Sequence, residues 1–491
     1  MNLLEYPTLL AIVGGLGLAW ESTKKSHKNP LLLLGSGLLV VLVAAQHLFA
    51  GHEGFWSIPA ALKDLGLGAL AGAALYAFRS GKSSVFAKIG ASMAGLAALG
   101  YGWGAFSGAF HTQEILTELG PDDRLEEIQS VLSRYHATAE RAFPSVSIHM
   151  DENLAQYYII RTEARFANAL THALQQDREN VDSAELNAEV SLDPEDSAPA
   201  GTPNGGLQSN DPKANEQWAL QSIFTPEAWT LLQNASPQKK ARVAILDTGV
   251  EGGHEDLKSV FLNSPGLHDQ HGHGTHCAGI AGAATNNGIG MASLNWGGKF
   301  VEVAAYHALN GAGYGSNESI AQAMVDAVND GADVLSLSLG GPSTRPPKVL
   351  KDAVAYARKR NVVVIVAAGN ANESGKKHSP ANIDGVITVS ASDSQKRKAS
   401  FSNTNNGLKQ PIAAPGVDIL STKPGNQYMT HSGTSMATPL VAGLAGVLRA
   451  LRPDLKPDEV YEILKRTGQS NADESRIGRI INAEAAIRVV Q

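Results

Sequence analysis

Apolar residues crowd the first 110 positions of the chain and thin out afterwards. Four apolar stretches run roughly over Leu3–Trp20, Leu31–Ala50, Phe55–Phe78 and Ile89–Phe110. A bilayer-spanning helix needs about 20 mostly apolar residues. The second and fourth stretches meet that need; the first carries Glu5, and the third is interrupted by Lys63 and Asp64. The pattern therefore predicts a transmembrane region of about four helices over residues 1–110. Trp20, Trp56 and Trp103 fall near segment ends, where interfacial aromatics gather.

Charge between the stretches sets the expected orientation. Lys24, Lys25 and Lys28 follow the first, and Arg79, Lys82 and Lys88 follow the third. The second connection has no basic residue before Lys63, and the chain after the fourth opens with Glu114, Glu118, Asp122 and Asp123. Positive charge stays on the cytoplasmic side, so the soluble part is expected on the periplasmic or extracellular side. A cleaved signal peptide fits poorly, because no Lys or Arg precedes the first apolar run.

Residues 111–193 alternate between strand-like and helix-like periods. Gln113–Leu119 reads as a strand, Asp122–Phe143 as a helix ended by Pro144, and Ser145–His149 with Gln156–Thr162 as a strand pair. Glu163–Gln176 reads as a second helix and Ala184–Leu192 as a last strand. The order is β-α-β-β-α-β, a small α+β ferredoxin-like arrangement. Residues 194–212 form a linker: Asp193–Asn210 is rich in Pro, Gly, Ser and acidic residues, a composition that builds no core.

Residues 213–491 alternate apolar strands with helical runs, which predicts an α/β fold with a parallel sheet covered by helices. Arg242–Leu246 ends in Asp247-Thr248-Gly249, Asp333–Leu339 in Gly340-Gly341, and Val362–Ala368 in Gly369-Asn370. Ligands of open parallel sheets bind beyond the carboxyl ends of strands, so three polar strand ends predict one shared site. His273 sits in Gly272-His273-Gly274-Thr275-His276-Cys277-Ala278-Gly279. Ser435 sits in Ser432-Gly433-Thr434-Ser435-Met436-Ala437-Thr438-Pro439, before an apolar helical run through Leu451. A proline is best tolerated in a first turn, which predicts Ser435 near a helix N-terminus.

These residues suit acyl transfer. A serine hydroxyl needs an adjacent base, imidazole supplies one near neutral pH, and a buried carboxylate fixes the imidazole tautomer. Asn370 and the Ser435 N–H are candidate donors to a tetrahedral oxyanion.

The order Asp247, His273, Asn370, Ser435, each inside its own motif, resembles the subtilisin-like serine proteases, or subtilases, over about Asn210 to Gln491. The resemblance implies a subtilisin-like parallel-sheet catalytic domain at 213–491 and a propeptide or inhibitor-like domain at 111–193. It implies hydrolysis of peptide bonds in protein or peptide substrates through an acyl-enzyme, with self-processing. Ser338-Leu339-Gly340 resembles the inner substrate strand, Gly313-Tyr314-Gly315 the outer one, and Ala367-Ala368-Gly369 a wall of the S1 pocket. No charge is evident on that wall, so a broad or apolar P1 preference is expected. His254-Glu255-Asp256-Leu257 and Asn286-Asn287-Gly288-Ile289-Gly290 resemble parts of a structural Ca²⁺ site. Its ligands would be Asp211, Asp256 and Asn287, with carbonyls of Thr285, Ile289 and Met291.

The remaining signals narrow the picture. The net charge is -7, which gives no basic footprint and argues against nucleic acid as a partner. One cysteine, Cys277, excludes an intrachain disulfide and a Cys-based zinc site; it reads as a small buried residue one helical turn past His273. His268, His271, His273 and His276 resemble a zinc cluster, but the motif gives His273 another task. A different reading keeps the membrane region as the working part, a receptor or scaffold, with the protease domain regulatory or inactive.

Overall fold

The computed structural model describes residues 112–192, 208–262 and 268–491. The four apolar stretches and most of the linker lie outside the described residues. The chain divides into one unit of residues 1–113 and 162–168 and a second of residues 114–161 and 169–491.

The largest sheet of the second unit is parallel and six-stranded. The strands are β6 (Ala241–Asp247), β7 (Val301–His307), β9 (Val334–Leu337), β10 (Val363–Ala367), β11 (Ile387–Ser392) and β12 (Pro411–Pro415). Their spatial order is β12-β11-β10-β9-β6-β7. A parallel sheet is buried on both faces, so its strands read as unbroken apolar runs. In β6, Val243 and Ile245 pack into one core and Ala244 and Leu246 into the other. Helices α3 (His273–Gly282) and α6 (Thr434–Leu451) cover the first face. Helices α4 (Asn317–Asn329) and α5 (Lys348–Lys359) cover the second. Among the described residues α6 is the one helix long and apolar enough to cross a membrane, and it is wholly buried in this core. Gly443 lets it cross α3 closely: a Cβ there would lie 2.4 Å from the Ala281 carbonyl oxygen.

Residues before 193 form a four-stranded sheet with strand order β2-β3-β1-β4. The strands are β1 (Thr112–Leu119), β2 (Thr138–Arg141), β3 (Tyr157–Glu163) and β4 (Val181–Leu186), with helices α1 (Gln129–Arg134) and α2 (Ala164–Gln176) between them. Alternation along each strand divides its residues between two cores. Ile115 and Ile160 join a local core with Leu132 and Leu174, whereas Leu116, Tyr157 and Ile159 pack into the core that holds α4 and α5. Burying a side chain of that size contributes about 1.5–3 kcal/mol, so the face on α4 and α5 is a substantial docking surface.

Three expectations for this region are corrected. The helix expected over Asp122–Phe143 is short, and its later part is strand β2, whose Thr-Ala-Glu-Arg sequence is almost wholly solvent-facing. Ser145–His149 is turns, not a strand; Val146 is buried but Ile148 is exposed. The stretch Ala184–Leu192 is split between β4 and a separate short strand, β5 (Glu189–Ser191). Strand β5 leaves the small sheet and pairs antiparallel with β8 (Tyr314–Ser316).

Candidate active site

Asp247, the last residue of β6, is fully buried. Its Oδ1 lies 2.7 Å from His273 Nδ1 and accepts from the Thr248 N–H at 2.8 Å. A carboxylate only accepts, so Nδ1 carries the hydrogen and Nε2 is the basic nitrogen of the neutral ring. Close approach of α3 to the strand end requires Gly274: a Cβ there would sit 2.1 Å from the Gly249 carbonyl oxygen and 3.1 Å from Asp247 Cβ.

A second carboxylate, one that no sequence motif marks, holds this arrangement. Asp269 accepts from the N–H groups of His271, Gly272 and Thr275 at 3.1, 2.7 and 2.8 Å. It also accepts from the hydroxyls of Thr248 and Thr275, at 2.8 and 2.7 Å. Thr248 Oγ1 in turn accepts from the Gly274 N–H at 3.2 Å. Asp269 therefore ties the turn after Asp247 to the start of α3, where donors without intrahelical partners and the helix dipole favour an anion. A lone Asp in a polar loop gives no signal of this.

Ser435 is the second residue of α6 and 3% exposed. Its N–H belongs to the first turn, which has no intrahelical acceptors. Pro439 is the sixth residue of the helix, beyond the first turn where it was expected. Lacking an N–H, it deprives the Ser435 carbonyl of its usual helical donor. Ser338 Oγ donates to that carbonyl instead at 2.8 Å, and Cys277 Sγ lies 3.6 Å from it. Cys277 is fully buried, as expected. The Ser435 hydroxyl itself lies 3.3 Å from the Ser338 carbonyl oxygen.

Asn370 follows β10. Its Oδ1 accepts from the N–H and the hydroxyl of Thr434, both at 2.9 Å. Those donors fix which arm of the amide is oxygen, so the Nδ2 arm is the one turned away from the Thr434 groups. Thr434 Oγ1 also accepts from the Gly369 N–H at 3.2 Å, which locks β10 to the start of α6. Thr434 is another positioning residue that the sequence did not single out.

A pocket beside Ser435 is lined by Ser338, Leu339, Gly340, Ala367 and Gly369, all among the expected substrate-binding residues, and also by His378 and Ser379. Ala368 does not line it. That residue is fully buried, and its main chain bonds to Val389 O and Asn403 Nδ2 within the sheet. Of Gly313-Tyr314-Gly315, expected as the outer substrate strand, Tyr314 and Gly315 lie in β8, which is paired with β5. The Leu192 N–H adds a 3.0 Å bond to the Gly313 carbonyl. The chain's own residues 189–192 thus extend along this edge by strand addition.

The residues expected to bind Ca²⁺ converge on one loop. Asp211 accepts from the N–H groups of Asn286, Asn287 and Gly288 at 2.7, 2.9 and 3.1 Å. Asp256 accepts from the Met291 N–H and the Tyr428 hydroxyl, both at 2.8 Å, and from Asn287 Nδ2 at 3.4 Å. Asn287 Oδ1 takes the Ile289 N–H at 2.8 Å, and the Thr285 carbonyl takes the Gly297 N–H at 2.9 Å. Asp256 is fully buried, and burial raises its pKa; neutral donors and His254 offset this only in part. Of the four histidines, His271 and His273 stand edge to face with ring centroids 6.2 Å apart, whereas His276 Nε2 bonds the Met429 carbonyl at 3.1 Å. Among the described residues the one compact set of His, Cys and acidic groups is Asp247, His273 and Cys277.

Comparison with known proteins agrees with this geometry. The profile of the subtilase family matches residues 238–479. Thermitase of Thermoactinomyces vulgaris is 39% identical over 247 residues, 49% of this chain and 84% of the relative. Subtilisin Savinase of Lederbergia lenta is 38% identical over 277 residues, 55% of this chain and 98% of the relative. The crystal structure of fervidolysin from Fervidobacterium pennivorans matches in fold with a TM-score of 0.63 at 22% identity, covering 77% of this chain and 61% of that one.

Proposed function

The chain belongs to the subtilase family of serine endopeptidases, and from that premise we propose that Ser435 is the nucleophile, His273 the base and Asp247 the orienting carboxylate. The observation that carries the assignment is the buried 2.7 Å contact between His273 Nδ1 and Asp247, which leaves Nε2 basic. The reaction requires the Ser435 hydroxyl to leave the Ser338 carbonyl for that nitrogen. Ser435 Oγ then attacks the scissile carbonyl while His273 takes its proton. The Ser435 N–H and Asn370 Nδ2 hold the oxyanion. His273 returns the proton to the leaving amine, and water releases the acyl group by the same steps in reverse order. A fluorophosphonate probe is expected to attach to Ser435 of the wild-type chain, read by peptide mass mapping; attachment elsewhere defeats the assignment.

The domain before residue 193 is read as a built-in inhibitor and folding aid, removed by self-processing. Its supports are the strand added to β8 and two helix caps. The Lys348 N–H at the start of α5 donates to Glu185 Oε1 at 2.9 Å, and the Glu318 N–H at the start of α4 donates to Asn187 Oδ1 at 3.1 Å. Residues 1–110 are read as the membrane anchor, with the peptidase outside the cytoplasm, on the strength of the basic first and third loops.

The loop 285–291 is read as a Ca²⁺ site. Its oxygen-only donors and the buried Asp256 carboxylate suit a hard cation. Asp256, Asn287 and the carbonyls of Thr285, Ile289 and Met291 would hold it, with Asp211 bracing the loop. Bound Ca²⁺ would stabilise the fold and take no part in the chemistry. Chelation is expected to lower Tm by about 5–10 °C, with Asp256→Asn insensitive to chelator; equal sensitivity in both proteins overturns the site.

A further inference from the structure

The pocket beside Ser435 is lined by two residues with polar atoms that no described residue satisfies. His378 and Ser379 both line it, at 3% and 5% exposure. His378 Nδ1 and Ser379 Oγ are buried without a hydrogen-bond partner among the described residues. The other ring nitrogen, Nε2, meets Glu373 Oε1 at 2.8 Å. Hydrogen bonds from Lys377 and His378 hold the Glu373 carboxyl below its usual range, so it accepts and Nε2 carries the hydrogen. With Nε2 donating to Glu373, an unprotonated ring has its lone pair at Nδ1, and Ser379 Oγ has a hydrogen to give.

An apolar P1 side chain leaves both buried groups unsatisfied, whereas one that bonds them relieves that cost. A carboxylate meets the Nδ1 lone pair with its own. An ammonium can donate to Nδ1 but accepts nothing from Ser379, and it loses its hydration between Leu339 and Ala367. A carboxamide answers both groups at once. We propose that this pocket selects glutamine or asparagine at P1, the amide N–H donating to His378 Nδ1 and the amide oxygen accepting from Ser379 Oγ. The inference rests on Ser435 as the nucleophile, and it replaces the apolar preference expected from the uncharged wall.

The test is a peptide series of constant P4–P2 sequence with Asn, Leu, Gln, Met, Lys or Glu at P1. It is cleaved at about pH 8.5 by the purified wild-type protein, expressed as the full chain and allowed to process. Asn–Leu and Gln–Met are near-isosteric pairs. At least one carboxamide is expected to exceed its isostere by about tenfold in kcat/KM, the size of one well-made hydrogen bond to a buried group. His378→Leu is expected to erase that ratio, and Ser379→Ala, the gentler change, to reduce it. Leu and Met matching or beating both carboxamides in the wild type overturns the proposal, and so does an unchanged ratio in a variant that still labels with fluorophosphonate. Labelling of the same preparations separates the two readings. A wild type that labels at Ser435 but prefers Leu and Met defeats the P1 inference alone, whereas one that fails to label defeats the active-site reading.

Discussion

Ser435→Ala is expected to lower kcat on the order of 10⁶-fold, the loss that removing the serine causes in subtilisin, and to leave the chain at full length. The three groups act as a unit, so losing the nucleophile forfeits what His273 and Asp247 contribute. What survives, on the order of 10³-fold over water, comes from the oxyanion donors and substrate binding. Those donors are untouched: Asn370 is held by Thr434, and the Ser435 N–H belongs to the main chain. The fold is expected to hold as well. The hydroxyl makes a 3.3 Å bond to the Ser338 carbonyl, and a bond of that length contributes no more than about 1 kcal/mol. The Ser338-to-Ser435 carbonyl bond that compensates for Pro439 is unaffected. Wild-type preparations should therefore show a smaller mature species in the peptidase range and Ser435→Ala only the full-length chain, at similar Tm. Retention of more than about one per cent of kcat, or processing of the variant in isolation, defeats the assignment.

The groups proposed to do the chemistry were legible because each stands where an apolar strand or helix meets small residues. Asp247 ends a strand whose every central residue is buried, and a continuous apolar run is what a doubly covered strand writes into sequence. His273 stands at a helix start between Gly272 and Gly274, the second of which the close approach to Gly249 demands, and Ser435 stands at another helix start two residues after Gly433. Residues that act through tertiary contacts left no such trace. Asp269 is one acidic residue in a polar loop, and its five bonds come from groups that the fold assembles. His378 enters the pocket from a separate two-stranded ribbon, forty residues after Ser338 in the chain and outside any motif. Strand β2 was missed because an edge strand that faces solvent has no apolar alternation to read. Ser145–His149 misled because Val146 and Ile148 alternate with polar residues, yet only Val146 reaches a core.

Docking of the N-terminal domain on α4 is expected to loosen as pH rises from about 5 to 8. Glu318, at the start of α4, has its pKa pushed up to about 7, first by burial and then by the Glu114 carboxylate; Glu140 and Asp326 add to the rise, and Arg161 opposes it. The facing side is a closed network: Arg161 bonds Glu114 at 2.9 Å and Glu140 at 2.7 Å, and Asn187 Nδ2 bonds Glu114 at 2.8 Å. The single guanidinium is shared among the carboxylates of β1 and β2, so little of its charge serves Glu318. Burial likewise raises Glu118 and Glu185 against α5. The sign follows from linkage. A carboxyl whose pKa is higher docked than free favours docking fully below the free value, ordinarily about 4.3, and loses that contribution as pH climbs through about 7. A rise from about 4.3 to about 7 corresponds to a change of up to about 500-fold in the opening equilibrium, with about tenfold expected once opening restores only part of the hydration of Glu318. Hydrogen exchange on full-length Ser435→Ala, corrected for intrinsic rates, measures this without any processing. Protection of Ile115–Leu119 and of β5 should fall between pH 5 and 8, and the Ser435→Ala, Glu318→Gln double variant should flatten the dependence. Protection that is constant or rises with pH in the Ser435→Ala parent would show that the carboxylates at this interface are already ionised when docked, and that release of the peptidase is governed by cleavage of the linker alone.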